Sequence, residues 1–167
     1  DFRLTTPVSW LKASADMDFS TFADTNPGVM RLKMNASVGK SDMLLALGMM
    51  PLQFVLRLPE QPLALQADIN GNMKNLKIRD ISAKLPTAFS IKADGKAGNL
   101  TDIDRLTADI NLDARADNIS FLQPALGLDK NTAVRIPDGI TLKGNCKVNG
   151  PQYATEFVAT QGGGSVR

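Results

Sequence analysis

Few residues in this chain have the chemistry for catalysis. There is no histidine and a single cysteine, Cys146. That composition removes Ser-His-Asp and Cys-His constellations, Cys/His zinc sites and any intramolecular disulfide. Cys146 alternates in phase with Ile140, Leu142 and Val148, so its expected role is a small apolar residue on a strand's dry face. Gly39-Lys40-Ser41 ends like a phosphate-binding loop. That loop needs a glycine five residues before Gly39, and Met34 stands there, so a turn followed by a helix cap at Ser41-Asp42 is expected instead. Asp94-Gly95-Lys96 lacks the same frame.

Acidic chemistry fares no better. Asp102, Asp104, Asp109, Asp113 and Asp117 crowd one stretch. Asp109, Asp113 and Asp117 fall on one face of an alternating run rather than around a loop, and the ligand spacing of a calcium loop with its central glycine is missing. A solvated strand face is expected, and nothing singles out a carboxylate pair for glycosidase work. The sequons at Asn35, Asn99 and Asn118 decide nothing without a secretory context. No enzyme, cofactor or metal is expected.

The remaining chemistry is partition between water and an apolar surface, and it is carried by alternation. From Leu106 to Asp117, Leu106, Ala108, Ile110, Leu112, Ala114 and Ala116 alternate with Thr107, Asp109, Asn111, Asp113, Arg115 and Asp117. Successive side chains leave a strand on opposite sides, so this run has one dry and one wet face. A helix would scatter the aspartates around its circumference.

The same pattern places Leu65 and Ile69, then Leu76 and Ile78, then Ile91 on the dry face of three preceding arms. At Asp80-Ile81 the parity flips, as one extra residue in a β-bulge would make it do. Turn signals at Asn70-Gly71-Asn72, Leu85-Pro86-Thr87 and Gly98-Asn99 separate the arms, so Leu63 to Asp117 reads as a four-stranded meander.

Upstream, Phe2 and Leu4 are candidates for a strand edge. Ala13 to Phe19 and Met30 to Val38 alternate as strands. Met43 to Leu47 form a short helix stopped by Gly48 and Pro51, placed to plug one end of a core, and Gln53 to Leu58 returns to strand. Downstream, Asp117 to Gly127 resembles the earlier helix, Ala133 to Ile136 leads to Pro137 as Val55 to Leu58 leads to Pro59, and Ile140 to Val148 echoes Leu63 to Ile69. The echo implies a period of roughly 75 to 80 residues, longer than common solenoid units. Tyr153 to Thr160 forms a last strand, and the glycine run after Gln161 is either a flexible tail or the start of another strand.

Composition narrows the partners. Lys plus Arg number 19 against 17 Asp plus Glu, a net charge of +2, with one Trp, one Tyr and 5% aromatics. Without a basic run or stacking platforms, nucleic acid is not an expected partner. No run of 18 apolar residues and no basic-then-apolar opening occurs, so neither a span nor a signal peptide is expected. The chain opens inside patterned sequence, as an excised or processed fragment would. The dry faces are aliphatic where a sandwich of this size would usually use large aromatics, and seven methionines suit an adaptable lining.

Taken in order, these motifs resemble the repeating unit of the AsmA/TamB proteins. Ser41-Asp42-Met43-Leu44-Leu45, Leu58-Pro59-Glu60 and Leu65-Gln66-Ala67-Asp68-Ile69-Asn70-Gly71 carry the resemblance. So do Leu76 to Lys84 and Lys92-Ala93-Asp94-Gly95-Lys96-Ala97-Gly98-Asn99-Leu100-Thr101-Asp102. It covers residues 30–167 and rests on glycines and alternation rather than on catalytic residues.

The resemblance implies a periplasmic β-groove with a hydrophobic interior, sometimes called a β-taco. The parent protein would be anchored in the inner membrane, with phospholipid acyl chains as cargo and an outer-membrane barrel as a partner. The expected fold is therefore all-β: an antiparallel meander of about ten strands curled into a groove, with two short helices. Residues 1–167 read as one fragment, with possible units 30–117 and 118–167, the second incomplete. The expected lining is Leu65, Ile69, Leu76, Ile78, Ile91, Leu106, Ile110 and Leu112. A structural or adhesive β-sandwich module with a closed core is the competing expectation.

Overall fold

The computed structural model describes residues 1–23, 25–48, 58–121, 138–162 and 164–166. Ten strands form one antiparallel sheet in strict sequence order, and the two end strands do not pair with each other. They are β1 (Phe2–Thr5), β2 (Trp10–Met17), β3 (Met30–Val38), β4 (Leu63–Gly71) and β5 (Leu76–Leu85). After them come β6 (Phe89–Gly98), β7 (Thr107–Ala116), β8 (Ile140–Asn149), β9 (Gln152–Gln161) and β10 (Gly164–Val166). One helix, α1 (Lys40–Gly48), follows β3, and 3-10 turns lie at Phe19–Phe22 and Ile103–Arg105. The result is an all-β, open, curled meander. The expected second helix at Asp117 to Gly127 and the strands at Gln53 to Leu58 and Ala133 to Ile136 lie wholly or mostly outside the described residues.

Short turns dictate this order. Pro86 and Thr87 (φ 63) turn β5 into β6, and Gly150 (φ 56) with Pro151 turns β8 into β9. Antiparallel neighbours are the cheapest partners for arms joined this closely. The glycine run after Gln161 resolves as the hairpin into β10, with Gln161 opposite Gly164.

Several expectations shift at the margins. The strand expected to reach Phe19 stops at Met17. The Asp18 carboxylate accepts from the Ser20 backbone N–H at 2.9 Å and from the Ser20 hydroxyl at 2.8 Å. That caps the first 3-10 turn and ejects Phe19 into solvent. Leu106 belongs to a turn rather than to β7: its N–H closes the second 3-10 turn on the Ile103 carbonyl at 3.4 Å.

Helix α1 also begins one residue before the expected cap, with Met43 N–H donating to the Gly39 carbonyl at 3.0 Å. Ser41 and Asp42 therefore sit in its first turn. The Asp42 carboxylate is turned away from capping and accepts from the Thr6 hydroxyl at 2.5 Å.

Deep burial is sparse. Among the described residues Ala36, Met43, Leu58, Leu85 and Ala88 are the buried apolar side chains. Met43 lies in α1, Ala36 near the end of β3, Leu58 in the segment leading to β4, Leu85 at the end of β5 and Ala88 just before β6, so the packed core sits toward one end of the sheet. The chain exposes 11517 Å², whereas a compact monomer of 18.0 kDa would expose about 8,000 Å².

Candidate apolar binding face

The strand registers turn the alternation of single strands into continuous rows. One row runs Leu4, Leu11, Ala36, Leu65, Ala83, Ile91, Ala114, Leu142, Ala159. A second runs Ala13, Met34, Ala67, Ile81, Ala93, Leu112, Gly144, Phe157. The third passes through Leu32, Ile69, Ile78, Gly95, Ile110 and Cys146, and the fourth through Met30, Leu76, Ala97, Ala108 and Val148. With neighbouring strands about 4.8 Å apart, the eight intervals of the longest row span about 38 Å.

Within the first two rows large and small residues alternate from Ala36 and from Ala13 onward. A curled sheet crowds side chains on its inner face, and such alternation lets bulky residues interdigitate over small ones.

Seven of the eight expected lining residues stand on this face: Leu65, Ile69, Leu76, Ile78, Ile91, Ile110 and Leu112. Leu106 lies just outside β7, half-buried, with its carbonyl accepting from the Gly150 N–H at 2.7 Å. The face is half-exposed rather than sealed: Ile81 is 38% and Ile91 39% exposed.

Sequence reasoning placed its lining in β4 to β7 alone. The registers extend the face into β3 through Met30, Leu32 and Met34, and into β8 and β9 through Leu142, Val148 and Phe157. The signal was present, because Met30 to Val38 and Ile140 to Val148 alternate just as cleanly.

The parity flip in β5 has a specific geometry. Ile78 pairs with Ile69 and Gly95, Asp80 with Asp68, and Ile81 with Ala93. Arg79 is thus the extra residue toward β4, and Arg79 and Asp80 together oppose the single Asp94 on β6. Gly95 lies at this point with φ 149, and a Cβ there would collide with the Asp109 carbonyl oxygen. Glycine lets β7 close up beside the bulge.

The opposite face is wet and charged. Lys143 meets Asp113 at 2.8 Å, and Lys33 and Arg79 each reach Asp68 at 3.9 Å. Asn145 donates to Asp109 at 2.7 Å and to Asn111 at 3.0 Å, and Asn111 donates to Asp94 at 3.1 Å. Of the aspartates that suggested calcium, Asp109 is engaged by Asn145 and Asp113 by Lys143 across strands, Asp117 pairs with Arg115 at 2.6 Å, and Asp102 caps its own 3-10 turn. Exposed pairs of this kind contribute little to stability individually, but they keep this face in water.

At the α1 end, Gly39 N–H donates to the Ser9 hydroxyl at 2.8 Å, and Lys40 pairs with Glu60. Both groups that might have held a phosphate are thereby occupied. The Ser9 and Thr6 hydroxyls hold the Asp42 carboxyl below the usual carboxylate range. Asp18 is held low by the Ser20 N–H and hydroxyl.

No family model, no curated protein and no solved structure matches this chain.

Proposed function

We propose that this chain is a non-enzymatic segment of an AsmA/TamB-like envelope protein, a groove whose apolar face takes up phospholipid acyl chains in the periplasm. In this reading the parent protein is anchored in the inner membrane and cooperates with an outer-membrane barrel. The observation that carries it is the set of aliphatic rows running across the strands, half-exposed, on a single open sheet.

Leaving a surface of this length in water is costly, and an acyl chain lying along it gains about 0.8 kcal/mol for each methylene it buries. Head groups stay at the rim, where the strand ends meet solvent. The rival reading, an adhesive sandwich module, needs two sheets closed on a dry core, whereas the ten described strands form one sheet. An apolar face without catalytic groups supports carriage rather than chemistry.

The test is to purify the chain from a diderm host, extract it, and identify bound lipids by mass spectrometry. A photo-reactive residue at Ile110 then maps the contact. Phospholipid adducts at Ile110 are expected, and a folded protein that yields none there overturns the reading.

A further inference from the structure

A hollow of about 600 Å³ opens on the wet face beside the bulge in β5, lined by residues of β5 to β8. A bulged strand bends, and the volume falls in the range of a small-molecule site.

Its charges stand in register. Lys77 on β5 lies directly opposite Lys96 on β6, Lys96 opposite Asp109 on β7, and Asp109 opposite Lys147 on β8. Like charges directly opposite each other destabilise a strand pair. Among the described residues no carboxylate comes within ion-pairing distance of the Lys77 or Lys96 ammonium group.

The carboxylates that could have neutralised them are turned to amides instead. Asp109 accepts from Asn145 at 2.7 Å, and Asp94 accepts from Asn111 at 3.1 Å. Arg79, the extra residue of the bulge, also lines the hollow and meets Asp68 only at 3.9 Å. Most of its five N–H donors are left for another partner. Lys77, Arg79, Lys96 and Lys147 thus face two carboxylates, so the hollow carries as much net charge as the whole chain, +2.

We propose that this hollow binds a phosphorylated sugar. The phosphate is held between Lys77 and Lys96 with Arg79 alongside, and the hydroxyls lie against Asp94, Asn111 and Asn145. A phosphomonoester carries about −1.5 to −2 charge at neutral pH, which matches the hollow. Ammonium groups bind phosphate as point charges, and a guanidinium adds a planar fork. Side chains directly opposite in a sheet have Cβ atoms about 5 Å apart, close enough for both lysines to reach one phosphate.

A bare phosphate would leave most of the volume unused. The remaining lining is amide and carboxylate, groups that bond sugar hydroxyls. A carboxylate offers about four acceptor sites, and the amide on Asp94 or Asp109 uses only one. The lysines and aspartates leave their strands on the side opposite the aliphatic rows, so the inference stands whether or not those rows carry lipid.

Isothermal titration calorimetry of the whole chain at low ionic strength, with glucose 6-phosphate as the probe, should show saturable binding at one site. Inorganic phosphate and glucose, titrated separately, should each bind at least about tenfold more weakly. Lys77→Gln and Lys96→Gln should each weaken glucose 6-phosphate binding by about tenfold or more. Both side chains are exposed and each change removes a like-charge opposition, so circular dichroism should be unaltered. Lys84→Gln makes the same charge change at the far end of β5, opposite Ser90, and should leave binding within about twofold. Absence of saturable binding overturns the proposal. So does inorganic phosphate or glucose binding as tightly as glucose 6-phosphate, or a loss in Lys84→Gln equal to that in Lys96→Gln.

Discussion

Ile78 and Ile81 lie on the same face of β5 although three positions separate them, Ile78 beside Gly95 and Ile81 beside Ala93. An even spacing would be needed in a regular strand. The extra residue between them keeps Leu76 and Ile78 on the same apolar face as Ala83 and Leu85. Deleting Arg79 should therefore force either a register slip or rotation of Leu76 and Ile78 into water. With roughly 1.5 to 3 kcal/mol at stake per fully buried aliphatic side chain and these two half-buried, a loss of about 1.5 to 3 kcal/mol is expected. Arg79→Ala keeps the residue count and removes only an exposed 3.9 Å pairing with Asp68, so it should cost within about 0.5 kcal/mol. Urea denaturation of both variants separates the two effects.

The bulge was legible in the sequence because the parity of alternation flips at Asp80-Ile81, and the meander was legible because its turns are short and marked. The margins were not, for local reasons. Asp18 ends β2 by spending its carboxylate on Ser20, and Leu106 is held by the Ile103 carbonyl; in both places the alternation ran on through a residue that a turn had captured. The openness of the apolar face was not legible either. Alternation around Ile91 or Ile110 says that one side of a strand is apolar, but what covers that side depends on contacts distant in sequence, which periodicity does not encode.

The large-and-small alternation along the first row makes a prediction about curvature. Ala36 is 6% exposed and stands between Leu11 and Leu65. If the small residues are there to let the sheet curl, Ala36→Leu should overpack that point and cost about 1 to 3 kcal/mol. Ala93, half-buried on the second row between Ile81 and Leu112, is less enclosed than Ala36, and Ala93→Leu should stay within about 0.5 kcal/mol. Thermal melts of the pair are the measurement. Equal, negligible shifts would mean that the face is flat.

Asp42 gives the end bearing α1 a pH dependence. Its carboxyl is held low by hydrogen bonds from Ser9 and Thr6, so the charged form is stabilised in the folded chain. A depressed folded value means that stability is fully present above the unfolded carboxylate range. It is lost as pH falls through the lower, folded value. Asp42→Asn should remove that contribution, so the difference between neutral and acidic stability should be smaller in the variant than in the parent. Denaturant midpoints at neutral pH and at about pH 3 would show it, and an unchanged difference would assign the acid sensitivity elsewhere.

The sharpest contrast the lipid reading permits lies between the two faces of neighbouring strands. Ile110 sits in the third apolar row between Gly95 and Cys146, while Lys92 projects from the wet face of β6 opposite Asp113. An acyl chain along the rows would contact Ile110 and never Lys92. Ile110→Asp puts a charge into the path of the chain, and losing contact with two or three methylenes, about 0.8 kcal/mol each, corresponds to a drop in phospholipid retention of about tenfold or more. Lys92→Ala removes an exposed charge from the far face and should leave retention unchanged. Ile110 is half-buried rather than sealed, so the sheet should remain folded with an aspartate there, which circular dichroism would verify. Bound phospholipid per chain, measured after gel filtration for both variants, then ties any loss to the face and not to folding. Equal retention by the two variants would remove acyl-chain binding from this face.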